Sequence, residues 1–463
     1  MAIGTRSWET VKEALRGGER DFTAMGMRRA VVLLSIPMVL EMAMESLFAL
    51  VDVFFVARIS VDAVATVGLT EGVMTLIYSI AWGLGAGITA VVARRIGEKD
   101  RDGADVSAVQ GILIALAVGL CIAVPGILFA PRILTLMGAS SAVLATGTSF
   151  TRIMLGSNVV ILLLFSINAI FRGAGNAALA MRSLWLANII NIVLDPLLIF
   201  GWGPIPAMGV TGAAVATTIG RGCGVLYQCY HLFDGRGQVM IARRHVQVAW
   251  PILKNILRVS ASASSQFLIA SASWVFLMRI VASFGSDAVA GYTLAVRMVV
   301  FAMLPAWGIA NAASTLVGQN LGAKQPERAA ASAWLCGHWN AAYMGVMAVI
   351  FLVCAPWAME IFTGNSAVAH IGVQALRIMC LGYCFYAYGM VLSQAFNGAG
   401  DAMTPVWLNL VCFWMVEIPL AWWLAHTLNG PEGVFIAIAF SESLLALLCA
   451  IFFQRGRWKL ARV

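Results

Sequence analysis

Twelve apolar segments follow one another along the chain, centred near residues 44, 78, 117, 158, 190, 221, 268, 302, 341, 381, 414 and 444. Each is near or above the roughly 20 residues that a membrane-spanning helix needs. The pattern predicts an all-α integral membrane bundle of twelve transmembrane helices. The sixth segment is interrupted by Gly, Thr and Arg221. The first is the most unusual, because residues 35 to 58 carry three carboxylates, Glu41, Glu45 and Asp52. At about 100° per residue on a helix, the three fall within about 40° of one another. Each ionised acid costs roughly 2.5 to 3.5 kcal/mol at a helix centre, so the stripe is expected to face a watered or cation-holding interior. Hydration of Glu41 near the end that carries Arg28 and Arg29 is the alternative, and it leaves Asp52 unexplained.

Sliding the chain along itself by 225 positions brings two halves into register. VDAVA at 61 meets SDAVA at 286, AWG at 81 meets AWG at 306, RIM at 152 meets RIM at 377, and GAG at 173 meets GAG at 398. Beyond that the register slips, since Pro196 matches Pro419 at an offset of 223. Six helices per repeat return the chain to the same side, so two parallel lobes related by a pseudo-two-fold axis along the membrane normal are expected, with a cavity between them. The divisions expected are an N-terminal segment 1–29, an N lobe 30–233, a linker 234–250, a C lobe 251–455 and a tail 456–463. In this register Glu41 aligns with Gln266, Glu45 with Ala270 and Asp52 with Leu277. The acid stripe of the first helix therefore belongs to one lobe.

Composition agrees with a membrane protein: 61% of the 463 residues are hydrophobic and 11% charged, against about 25% charged in soluble domains. The net charge of +8 does not point to nucleic acid, because Lys and Arg gather in alternate connections, including the stretch from Arg236 to Arg258. By the positive-inside rule both termini are cytoplasmic, in a plasma (inner) membrane. Residues 1–29 show no cleavable signal; Trp8, Val11 and Leu15 are spaced for one face of a surface helix, and a frayed tail is the alternative. The nine Cys lie in apolar segments without metal spacing and read as packing thiols. His231, His245, His338, His370 and His426 offer no nucleophile–base or metal arrangement, so neither an enzyme nor a cofactor is expected.

The fifth segment puts Asn188, Asn191 and Asp195 on one face, with Pro196 next and the carbonyl of Ile192 deprived of its helical donor. A carboxylate, an amide and a freed carbonyl are hard oxygen ligands suited to Na⁺ or a shared proton; helix-to-helix hydrogen bonding by the Asn pair is the alternative. Thr217 can add a hydroxyl. Glu417 precedes Pro419 in the eleventh segment, and Glu71 and Glu442 lie near helix starts. Arg297, Arg152 and Arg377 are candidate counter-charges. Aromatics at 383–389 and at Trp422 and Trp423 suit packing and interface belts, or a face for a flat cation.

The residues LVDVFFVAR, the loops VARRIGEKD and LVGQNLGAK, the pair FRGAGN and FNGAGD, and NIVLDPLLIF followed by GVTGAAVAT together resemble the multidrug and toxic compound extrusion (MATE) family of antiporters. The resemblance runs from about 30 to 455. It implies a V-shaped two-lobe fold, a rocking cycle, and export of organic cations against entry of H⁺ or Na⁺ by a protein expected to work as a monomer in the bilayer. The family's N-lobe cation site falls on Asp52, Asn191, Asp195 and Thr217, with Na⁺ a candidate at the first three. The seventh and tenth helices lack the acids of the NorM-like branch, so the chain looks closer to the DinF-like pattern, with coupling in the N lobe. Glu41, Glu45, Asn188, Gln266 and Glu417 are added here as candidate substrate or proton-relay groups. Asp52 and Asp195, facing each other, are expected to share one coupling cation or proton. A flippase or exporter of a lipid-linked saccharide or other metabolite from the same superfamily is the alternative, although its cavity is expected to be basic.

Overall fold

The computed structural model describes residues 2–463 apart from 19, 57, 205, 236 and 462; Arg236 of the central basic stretch therefore lies outside the described residues. The chain is helical throughout its length. A surface helix α1 (Ala2–Arg16) precedes α2 (Met27–Val56), α3 (Val61–Gly97), α4 (Arg101–Leu136), α5 (Ser141–Gly156), α6 (Asn158–Gly173), α7 (Ala177–Phe200) and α8 (Val210–Phe233). The second half comprises α9 (Trp250–Ala282), α10 (Ser286–Gly322), α11 (Pro326–Phe362), α12 (Ser366–Cys380), α13 (Tyr383–Ala399), α14 (Met403–Asn409), a π-helical stretch Leu410–Glu417, α15 (Ile418–Leu428) and α16 (Glu432–Gln454). Among the described residues, nine helical spans are long and apolar enough to cross a membrane, and the pair α12 and α13, bent by 59°, makes a tenth. The acid-bearing α2 and the Arg221-bearing α8 complete the twelve.

Both repeats break their fourth span at the same place. α5 gives way to α6 at Ser157, and α12 gives way to α13 at Leu381 and Gly382, 225 positions on. Lipid-facing stripes repeat as well: Leu120, Val124 and Leu128 on α4 are exposed, and so are Val349 and Val353 on α11. Exposed apolar side chains at that spacing, on one face of each helix, are what a bilayer solvates.

The lobes meet where α3 packs on α9, α10 packs on α2, and α3 crosses α10. Glycines set these crossings, because a Cβ would collide with the opposing backbone. On Gly83 it would lie 2.3 Å from Ser264 N, and on Gly308, the repeat mate of Gly83, 2.5 Å from Val39 N. On Gly97 it would lie 2.0 Å from Gln319 O, and on Gly322 2.2 Å from Arg94 O. Residues 83–97 and 308–322 are the ends of α3 and α10 nearest the basic connections. The lobes are thus closed at the basic end and part toward the opposite end, giving the V.

The same end is fastened by both extremities of the described chain. Arg182 donates to the carbonyls of Leu15 and Arg16 at 2.6 Å each, so α1 lies against α7. α1 is helical as one expectation had it, with Ala14 buried and Trp8 exposed. Phe22 is buried, Arg328 of α11 donates to its carbonyl at 3.1 Å, and Gln238 donates to Arg20 O at 3.3 Å. From the other extremity, Ala461 O accepts from Arg94 at 2.6 Å, and Trp458 stacks on Phe453 with centroids 4.4 Å apart.

Candidate functional site

Asn176 caps α7 by accepting from Leu179 N at 3.3 Å, and the helix runs on through Pro196 to Phe200. α8 lies unusually close along it. A Cβ on Gly212 would meet Leu198 O at 2.5 Å, and on Gly220 Ala187 O at 2.5 Å, so this glycine spacing is what presses Thr217 against α7. Asn191 Nδ2 donates to Thr217 Oγ1 at 3.0 Å and reaches Asp195 Oδ1 at 3.5 Å. Asp195 is fully buried. Its Oδ2 and the Oδ1 of Asn191 are enclosed with no hydrogen-bond partner. Asp52 on α2 lies within coulombic reach of Asp195. The four residues expected to form a cation site are thus gathered by α2, α7 and α8 inside the N lobe.

The other acids of α2 are committed elsewhere. Glu41, fully buried, accepts from Arg172 Nη1 at 2.9 Å and from Asn168 Nδ2 at 3.1 Å. Glu45 accepts from Arg221 Nη2 at 3.2 Å and from Asn188 Nδ2 at 3.1 Å. Asn188 therefore supports Glu45 and is not bonded to the Asn191 cluster. Arg221 is itself buried with Phe48, Tyr78 and Phe165 around its guanidinium at 5.4 to 5.7 Å from the ring centroids. With Arg172 and Arg221 answering Glu41 and Glu45, Asp52 and Asp195 have no ion-pair partner among the described residues. Asp195, fully buried, has no fixed counter-charge, whereas the half-buried Asp52 is also faced by the charge of Arg221; a buried carboxyl so placed is a receptor for a mobile cation.

Of the three arginines expected as counter-charges, Arg297 faces Glu71 and the other two face no acid in the ion pairs formed among the described residues. Arg152 and Arg377 bond carbonyls of their own lobes, Ile127 O at 3.2 Å and Leu352 O at 3.3 Å. Arg297 of α10 lies within coulombic reach of Glu71 of α3 across the wedge. Arg172 stands next to the GAG turn and reads in sequence as part of a loop flank, while Arg221 reads as a blemish in an apolar segment. The signal for both was available: an arginine inside a span needs an acid.

In the C lobe, Gln266 donates to Asn397 Oδ1 at 2.8 Å and to Ala402 O at 3.1 Å. Glu417 is only 2% exposed and accepts from Ser441 at 3.0 Å; it does not line the open wedge. In the aromatic stretch at 383–389, Tyr383 is buried and in edge contact with Phe351 at 6.2 Å, while Phe385 is exposed on the outside of the lobe. Rings meet instead at the foot of the wedge. Trp82 lies 6.0 Å from Trp307 and 5.6 Å from Phe267, which is 5.3 Å from Trp307. Trp82 and Trp307 are repeat mates, so this is a ring cluster on the pseudo-two-fold axis, suited to the face of a planar cation.

A family model described as MatE matches residues 37–197 and 262–423. The chain is 26% identical over 427 residues to the probable multidrug resistance protein YoeA of Bacillus subtilis, covering 90% of this chain and 92% of that protein. It is 25% identical over 436 residues to the probable multidrug resistance protein NorM of Thermotoga maritima, covering 93% of each. It is also 25% identical to a protein of Shewanella oneidensis named FAD transporter, over 92% of this chain and 94% of that one. Among solved structures, a MOP superfamily transporter from Pyrococcus furiosus, described as having a binding pocket of reverse polarity, superposes with a TM-score of 0.88 at 28% identity, covering 97% of this chain and 98% of that one. A MATE structure in the straight conformation gives 0.87 at 28% identity, covering 96% and 97%.

Proposed function

The chain belongs to the MatE family of multi-pass membrane transporters, and from that premise we propose that it is a secondary active antiporter exporting planar organic cations in exchange for H⁺ or Na⁺. The observation that carries the reading is the pair of unpartnered buried oxygens, Asp195 Oδ2 and Asn191 Oδ1, beside a second carboxyl on Asp52. Such a cluster is stabilised by a bound cation, and a cation held more tightly in one lobe arrangement than in the other shifts the balance between them. Closure at the basic end matches one arrangement of that cycle, facing outward if the basic connections are cytoplasmic. In this reading the protein is a monomer of the plasma (inner) membrane with both termini cytoplasmic, and the rings of Trp82, Phe267 and Trp307 receive the substrate.

Ethidium efflux from reconstituted vesicles under an imposed pH gradient, and separately an imposed Na⁺ gradient, tests it with wild type beside Asp52→Asn. Efflux driven by either gradient and lost in the variant supports the antiporter and identifies the ion. Equal efflux in the variant overturns the N-lobe site. A second reading, export of an anionic metabolite, is favoured by the Nε and Nη1 of Arg221, which are buried without partners; FAD loaded into the same vesicles separates the two.

A further inference from the structure

The N-lobe site is built by the first, fifth and sixth spans. Their repeat mates are α9, the α14–π–α15 span and α16. Glu417 closes the π-helical stretch Leu410–Glu417, two residues before Pro419, as Asp195 stands one residue before Pro196. A π turn inserts an extra residue into the helix and re-aims the side chain at its end, and such turns concentrate at functional sites. Here it directs the Glu417 carboxylate at α16, where Ser441 takes the part that Thr217 plays on α8.

The carboxylate of Glu417 is only partly satisfied. Ser441 has one hydroxyl proton, yet its Oγ lies 3.0 Å from Glu417 Oε1 and 3.1 Å from Ile438 O. Ser273 of α9 donates to Ala270 O at 2.8 Å while lying within hydrogen-bonding reach of the same carboxylate. Each of these hydroxyls has one proton to give, so at most two donors serve the Glu417 carboxylate. Glu417 Oε2, Glu442 Oε2 and the hydroxyl of Tyr292 are enclosed without any partner. Tyr292 and Glu442 lie within coulombic reach of Glu417. No Lys, Arg or His among the described residues pairs with either acid in the ion pairs formed. Two neighbouring carboxyls at this burial are not both left ionised and alone.

We propose that Glu417 and Glu442 form a second monovalent-cation site, in the C lobe, holding a proton or Na⁺ between the Glu417 carboxylate and the oxygens of Ser273, Ser441 and Tyr292. It is the pseudo-symmetric counterpart of the Asp52–Asp195 site on equivalent helices. Its role in coupling rests on the antiporter reading; its occupancy does not. The titratable groups facing Glu417 are Glu442, Tyr292 and Cys412.

The test counts cations on purified protein in detergent, with no substrate present. Equilibrium binding of radiolabelled Na⁺ and potentiometric proton counting are run on wild type, Glu417→Gln, Asp52→Asn and the double variant. The expected result is one cation per chain lost in Glu417→Gln, a different one lost in Asp52→Asn, and additive loss in the double variant; the assay that registers the loss identifies the ion. Unchanged counts of both ions in Glu417→Gln overturn the proposal while leaving the N-lobe reading to its own variant. If Glu417→Gln loses the Asp52-dependent component too, Ser441→Ala replaces it: a second component weakened several-fold supports the site, and an unaltered one overturns it.

Discussion

Glu41 of α2 and Arg172 at the end of α6 are joined at 2.9 Å inside the N lobe, and their repeat mates Gln266 and Asn397 are joined at 2.8 Å inside the C lobe. The same two backbone positions thus hold a charged pair in one lobe and a neutral amide pair in the other. Geometry was kept while charge was changed. The pair also touches the lobe boundary, since Arg172 O accepts from Thr315 of α10 at 3.2 Å.

Breaking the charged pair from one side strands the other charge. Glu41→Gln alone is expected to lower stability by about 3 to 5 kcal/mol, as removal of one partner of a buried pair does. Glu41→Gln with Arg172→Asn, copying the C-lobe pair, should recover most of that loss. Thermal unfolding in detergent of the two variants beside wild type checks the coupling; equal melting temperatures for the single and double variants would refute it.

Thr217→Ala removes the acceptor of the Asn191 amide and leaves the carboxyls untouched. Loss of one such bond is worth about 1 to 1.5 kcal/mol, so the coupling ion should bind about tenfold more weakly. The half-saturating Na⁺ or H⁺ concentration for ethidium efflux measures it, with the maximal rate little altered.

Gly97→Ala places a Cβ 2.0 Å from Gln319 O, which the closed lobes have no room for. The variant should favour the arrangement open at the basic end. A lone reporter cysteine made by Ser260→Cys, in a background without the native thiols, should be shielded with Gly97 and reactive to a membrane-impermeant maleimide with Ala; equal labelling would count against the hinge role of this crossing.

Glu13 anchors α1 through Arg29 at 2.8 Å and Arg20 at 3.1 Å. The hydrogen bond from Arg29, with the charges of Arg20 and Arg29, holds its carboxyl below the ordinary value of 4.5. A depressed folded-state pKa means the contribution is complete above 4.5 and is lost as pH falls through the lower folded value. A nitroxide on Glu9→Cys should gain mobility only in that acid window, and Glu13→Gln should make it mobile at neutral pH.

The twelve spans and the parallel repeats were readable in the sequence from length and fixed offset, and Asn191 and Asp195 from an acid beside a proline, whereas joining them to Asp52 and Thr217 rested on the family resemblance. Arg172 and Arg221 escaped because their partners stand 131 and 176 positions away, and nothing local says which acid an arginine will meet. The π turn before Glu417 has no sequence signature either. Without it the C-lobe acid reads as a candidate cavity residue, whereas the extra residue turns it into the lobe.

The strap of residues 20–25 and the tail at 458–461 lie over the closed face, held by Arg328 of one lobe and Arg94 of the other. Opening that face must therefore undo tethers made by segments that cross no membrane and touch no substrate. The resting balance between the two arrangements is set partly by these knots at the basic end, so a purification tag fused at either extremity is not a bystander but a thumb on the scale of the transport cycle.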